Sequence, residues 1–257
     1  MRRTRVMALA DVIGIGASGL RAQVVKVATV ADNTANARTP GHRKVAAETT
    51  SAPAGAGVAT GLRHYISSAG TASATGSPTD MMVSGDGFFM VSDGKGNTLL
   101  TRSGNFAFDA QSGQLKNAAG YALMATPNGG GAPTPVQLTA EQASSLKVGA
   151  DGTLASTDAD GRSQALYRIP LATTANPDGM TPVAGDAFQP GSASGPARTF
   201  VSGQGPGTIR AGYLEDSNVD MATEMTDLVT SQASFMANFR TVRMGIEMLD
   251  VVLNMKR

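Results

Sequence analysis

The chain has 257 residues and a formal net charge of +1, with 16% charged and 5% aromatic residues, 31 glycines, no cysteine and no tryptophan. Zero cysteine excludes disulfide staples, thiol catalysis and Cys-based metal sites, and two histidines, His42 and His64, are too few for most His-based ones. Beyond the short Arg2, Arg3, Arg5 group no basic run is long enough to grip phosphates, so no nucleic acid partner is expected. High glycine and low aromatic content predict turns and small-residue packing rather than an aromatic-filled core.

At the N-terminus, Arg2-Arg3-Thr4-Arg5 followed by Val6 to Ala10 imitates the charged and apolar regions of a secretory signal. Asp11 stops the apolar run after five residues, and the segment is expected to be retained. No stretch approaches the ~20 apolar residues of a membrane span. Ile13, Ala17, Leu20, Val24, Val27, Ala31 and Thr34 alternate steps of three and four, which predicts a helix from Met7 to Asn36 with a heptad seam. Thr39-Pro40-Gly41 ends it, because proline and glycine forbid continuation. Within this helix, Gly14-Ile15-Gly16-Ala17-Ser18-Gly19 matches the dinucleotide fingerprint, whose glycines let a strand-to-helix turn approach a pyrophosphate. No strand precedes it and Asp32 lies too early for a ribose ligand, so the glycines are read as points of close helix approach, and no cofactor is expected.

Residues Ser51 to Gly61 are nearly all small and read as an extended connector. From Leu62 to Leu214 short apolar runs alternate with turn residues. Phe88-Phe89-Met90-Val91 and Leu99-Leu100-Thr101 flank Asp93-Gly94-Lys95-Gly96-Asn97, which predicts a hairpin. The acidic cluster Asp158-Ala159-Asp160-Gly161 lacks the remaining ligand positions of a calcium loop and reads as a solvated turn, and no metal site is expected. No Ser/His/Asp arrangement is supported by spacing, so neither catalysis nor a small-molecule substrate is expected.

After the glycine-rich run Ser202 to Gly207, Ser217-Asn218-Val219-Asp220 offers N-cap side chains for a terminal helix. Along it Met225, Leu228, Gln232, Phe235, Phe239, Val242, Ile246, Leu249 and Leu253 form a second heptad seam. Met221, Met225, Met236, Met244, Met248 and Met255 also lie there, as core filling or as an adaptable interface. The expected fold is α+β: N- and C-terminal helices (1–40 and 217–257) pairing as a coiled-coil stem, connectors at 41–65 and 202–216, and a central mainly β domain at 66–201.

Several blocks together resemble one family, the axial proteins of the bacterial flagellar hook and rod. They are Ser18-Gly19-Leu20-Arg21-Ala22-Gln23, Ala31 to Ala37 and Thr39-Pro40-Gly41; then Gly85-Asp86-Gly87-Phe88-Phe89, Thr101 to Phe106, and Asp109 with Gly113-Gln114-Leu115. The end carries Leu214-Glu215, Ser217 to Asp220, then Gln232, Phe235 and Asn238, and Met248-Leu249. Residues from Pro127 to Ser202 add little. Three positions depart from the pattern: His42 where an aromatic is usual, Asp32 for Asn, and Phe235 for Tyr.

The resemblance implies a subunit exported unfolded by the flagellar type III apparatus and polymerised into a hollow helical tube that transmits torque, with the terminal helices along the axis. It adds Asn33 and Asn36 to the self-assembly residues of the two seams. Implied partners are further copies of the chain, adjoining axial proteins, and hook cap, rod cap or junction proteins. The tail Val251 to Arg257 resembles a hook protein most, an extracellular position, while the short chain resembles a rod protein, a periplasmic one. A nucleotide-dependent enzyme would need βαβ units that the sequence lacks, and a secreted β-rich adhesin would leave the terminal heptads unexplained.

Overall fold

The structure, a computed structural model, describes residues 2–53, 56–158 and 161–254. The chain divides into two units, one of Met1–Ala37, Lys44–Tyr65 and Val219–Arg257, the other of Arg38–Arg43 and Ile66–Asn218.

The first unit contains α1 (Arg2–Ala35), the hairpin β1 (Val45–Ser51) and β2 (Val58–His64), and a C-terminal helix, Met221–Asn254. The hairpin replaces the expected connector. Its strands pair antiparallel from Val45 opposite His64 to Ser51 opposite Val58. Its small residues and weak alternation hid it, because its mates are seven or more residues apart and it is largely exposed. Asp220 caps the C-terminal helix as its sequence predicts, its carboxylate accepting from Ala222 N at 3.0 Å and Thr223 Oγ1 at 3.0 Å.

The second unit is mainly β. In chain order it holds β3 (Ala72–Ala74), β4 (Met81–Gly85), β5 (Phe88–Ser92), β6 (Thr98–Thr101), β7 (Ala107–Asp109), β8 (Gln114–Lys116), β9 (Ala122–Pro127) and β10 (Thr134–Pro135). A short helix, α2 (Ala140–Ser144), follows, then β11 (Lys147–Val148), β12 (Thr153–Thr157), β13 (Ser163–Arg168), β14 (Pro170–Thr173), β15 (Thr181–Val183), β16 (Ala187–Gln189), β17 (Arg198–Val201), β18 (Gly207–Ala211) and β19 (Tyr213–Glu215). The terminal helix is α3. Most strands join one antiparallel sheet in the order β11-β12-β13-β9-β5-β6-β16-β15.

The predicted hairpin is β5–β6, with Val91 opposite Leu99. Asp93 organises its loop, the carboxylate accepting from Lys95 N at 2.8 Å, Asn97 N at 3.1 Å and Asn97 Nδ2 at 2.7 Å. These bonds favour the charged carboxylate, the Asn97 side chain most, and hold it below the usual range. The expected connector 202–216 is instead β18 and β19, paired with β4 and β3. Those partners lie more than a hundred residues earlier, so no local pattern marks them.

Successive residues on a strand face opposite sides. Phe89 therefore enters one core with Phe106, Leu123, Leu154, Ile169 and Leu171, and Phe88 enters another with Ile66, Leu100, Met180 and Phe188. Phe89 meets Phe106 edge-on at 5.7 Å, and Phe88 meets Phe188 at 6.4 Å. The scarce aromatic residues are thus concentrated in the β core, contrary to the expectation from composition.

Candidate functional site

In the first unit α1 and α3 run antiparallel, as their opposed residues show. A Cβ on Gly245 would lie 2.9 Å from the Ile13 side chain, one on Gly16 2.6 Å from Val242, and one on Gly19 2.8 Å from Asn238. Further along, Lys26 Nζ pairs with Asp227 Oδ1 at 3.1 Å. Asn33 Nδ2 donates to Glu224 Oε2 at 3.1 Å and to Val45 O at 2.8 Å, while Val45 N donates to Asn33 Oδ1 at 2.9 Å. Lys44 Nζ lies 2.6 Å from Glu224 Oε1, so the buried carboxylate is neutralised inside the unit. The fingerprint-like run Gly14 to Gly19 sits inside α1, where Gly16 and Gly19 let the helices approach closely.

Of the expected seam residues, Asn33 is buried, whereas Leu20, Val27, Asn36, Leu228, Phe235, Val242 and Leu249 are half-buried. Val24, Ala31, Met225, Gln232, Phe239 and Ile246 are exposed. The side chain of Leu253, like residue Met255, lies outside the described residues. On α3 the inward column is Glu224, Leu228, Ser231, Phe235, Asn238, Val242, Gly245, Leu249 and Val252, all buried or half-buried and in unbroken heptad steps. Every second position of the expected seam is therefore displaced by one residue. On α1 the buried positions Gly16, Val30 and Asn33, with half-buried Gly19, Gln23 and Lys26, form a stripe one residue earlier than expected.

The reason lies in the residue types. One residue is a 100° step around a helix, and the expected seams followed the most apolar positions. Along the contact small and polar residues such as Ser231, Asn238 and Gly245 alternate with half-buried Leu228, Phe235, Val242 and Leu249, while Phe239 and Ile246 are left outside. Gly16, Gly19 and Gly245 were the readable signal, since a glycine that costs helix stability is kept where backbones come close.

The structure nevertheless gathers part of the expected set. Val24, Val27, Gln232 and Phe235, with Gln23 and Met236, line an open groove of about 480 Å³ beside the helix contact. Beyond it α3 presents Val229, Phe239, Met244, Ile246 and Val251, each 48 to 65% exposed. Val229, Met244 and Val251 share one side of the helix and Phe239 and Ile246 another, and exposed apolar side chains in this number point to an interaction surface.

The second unit contains a polar knot that sequence reasoning missed. Glu215, with no exposed surface, accepts from Arg43 Nη2 at 2.7 Å, Arg102 Nη1 at 3.2 Å and Gly70 N at 2.8 Å. Arg102 also donates to Val83 O at 3.1 Å and Gly85 O at 2.8 Å, and its guanidinium stands 5.0 Å over the Phe88 ring. Burial pushes the Arg102 guanidinium down from its ordinary value, and the Glu215 charge opposes that. Gly41, at φ 77°, donates its N–H to Glu215 O at 2.7 Å, and a Cβ there would lie 2.5 Å from Ser103 N. His42 Nδ1 stands 2.7 Å from Asp186 Oδ1. Three motif blocks far apart in sequence, Thr39-Pro40-Gly41, Thr101 to Phe106 and Leu214-Glu215, thus converge on one buried charge cluster.

Terminal helices with exposed apolar side chains, attached in sequence to a β unit with its own core, suit a structural subunit that assembles with others. Residues 82–156 match the flagellar hook protein FlgE/F/G D1 domain, and residues 210–255 match the flagellar basal body rod FlgEFG protein C-terminal domain. The flagellar hook protein FlgE of Brucella abortus is 28% identical over 397 residues, covering 98% of this chain and all of that protein. The flagellar basal-body rod protein FlgG of Bacillus subtilis is 29% identical over 265 residues, covering 94% of this chain and 97% of that protein. The FlgE of Rhizobium meliloti is 25% identical, with coverage of 98% and 100%. The chain belongs to the flagellar hook and rod axial protein family. It is an axial structural subunit of the bacterial flagellum, and its family is a structural one rather than an enzyme family.

Proposed function

We propose that the chain is the hook subunit, self-assembling through α1 and α3, with the two helices forming a coiled-coil stem that packs against the stems of neighbouring copies. The observation that carries this reading is the division of labour on α3. Its inward column alternates small or polar residues with half-buried Leu228, Phe235, Val242 and Leu249, whereas Phe239 and Ile246 stand 48 and 53% exposed. Each is already about half covered, so burying the remainder against a neighbour would contribute about 1 kcal/mol, repeated at every subunit contact. The methionines beside them repack when helices slide, as a bending tube requires. Export through the type III apparatus, contacts with cap and junction proteins, and the absence of any catalytic step complete the proposal.

The rod reading is favoured by one observation. Alignment with the FlgG relative spans 265 residues, close to the length of this chain, whereas alignment with the FlgE relatives spans 397 or more and so requires a long insertion in them. Electron microscopy of hook-basal bodies carrying an immunogold-labelled copy separates the two. Label on the curved hook supports the hook assignment, and label confined to the straight shaft replaces it with the rod. The double variant Phe239→Ser/Ile246→Ser tests the surface itself. It should keep the circular dichroism of the free chain and lose tube formation, and unimpaired tubes would refute the assembly role of α3.

A further inference from the structure

Resting on the self-assembly reading, we propose that the exposed methionines of α3 are oxidation sites through which peroxide blocks assembly of the free subunit. Met221, Met225, Met236, Met244 and Met248 are 41 to 54% exposed, whereas Met81 and Met180 in the β unit are 0 and 3% exposed. The chain has no cysteine to react first. Thioether oxidation follows exposure, so one protein holds both the reactive set and an internal unreactive control.

In the reaction the thioether sulfur attacks one oxygen of hydrogen peroxide. The O–O bond breaks, an S–O bond forms, two electrons pass from sulfur to the peroxide, and the departing hydroxide takes a proton to leave as water. The product carries a strong acceptor where an apolar contact is needed. Burying that oxygen without a donor is costly, and the same positions recur on every copy. In the assembled tube these side chains are covered by neighbours, so the block falls on subunits not yet incorporated.

The test uses the full-length purified chain, with and without hydrogen peroxide, and follows tube formation by light scattering and electron microscopy. Mass spectrometry should place added oxygen on the five α3 methionines and not on Met81 or Met180. The concentration needed for assembly should rise on the order of tenfold or more. Methionine sulfoxide reductase should restore the original threshold. Sulfoxide at all five positions with an unchanged assembly threshold would overturn the proposal, as would a raised threshold that the reductase leaves in place. An untreated chain that never assembles would overturn the self-assembly reading and this one with it, a result distinct from either.

Discussion

In the β unit Phe89, Leu123 and Leu171 have no exposed surface, whereas in the helical unit Phe239, Ile246 and Val229 are 48, 53 and 65% exposed. The β unit closes its core with its own strands. The helical unit alternates small and polar residues with half-buried apolar ones along its helix contact and leaves Phe239, Ile246 and Val229 exposed. The contrast shows that apolar periodicity marks a surface that is to be buried, without saying whether the cover is the same chain or another. On the self-assembly reading it also separates two kinds of stability: that of the β unit would be fixed within the chain, and that of the helical unit would rise with subunit concentration.

The largest expected effect breaks the β unit from within. Glu215→Gln removes the negative charge between Arg43 and Arg102 and leaves two buried cations facing each other. Breaking a buried pair of this kind costs about 3–5 kcal/mol. Urea unfolding followed by tyrosine fluorescence should show that loss, and a change under about 1 kcal/mol would mean the knot is dispensable.

A smaller effect breaks the helical unit alone. In Gly16→Val the new Cβ meets Val242, and overpacking of this kind costs about 1–3 kcal/mol. In a Tyr65→Phe background, which leaves tyrosines only in the β unit, the helical circular dichroism signal should melt earlier while the tyrosine-reported transition stays in place. Equal shifts of both transitions would erase the distinction between the units.

The smallest effect sharpens the comparison through pH. In the β7–β8 hairpin the Lys116 ammonium, then Ser112 and Gln111 N, hold the Asp109 carboxyl well below the usual carboxylate range. A carboxyl whose folded pKa is depressed stabilises fully above its unfolded value, about 3.9, and loses that contribution as pH falls toward the folded one. Asp109→Asn should therefore lower the urea midpoint of the β unit at pH 7, with wild type and variant converging toward pH 2. Parallel curves across that range would show that Asp109 contributes nothing through its charge.

The family blocks were legible in the sequence because each is a short run of particular residues. Their reason was not. Gly41, Arg102 and Glu215 belong to three blocks, and only in the folded chain do they meet. The ion pairs join residues 172 and 113 positions apart, a separation that leaves no local trace. His42, which departs from the family pattern, takes a polar partner in Asp186, and Asp186 is 144 residues away.

The sequence by itself determined the layout of helix, β region and helix, the β5–β6 hairpin, the Asp220 cap and the existence of two heptad stripes, because each rests on neighbours within a few residues. Only the tertiary structure decided that residues 45–64 form a hairpin, that β18 and β19 return to β4 and β3, and that the helices meet through Gly16, Gly19, Ser231 and Gly245. The physical reason is common to all three. Strand pairing and the choice between adjacent columns of a helix depend on what lies opposite. A 100° step separates a residue facing its own chain from one left free for the next.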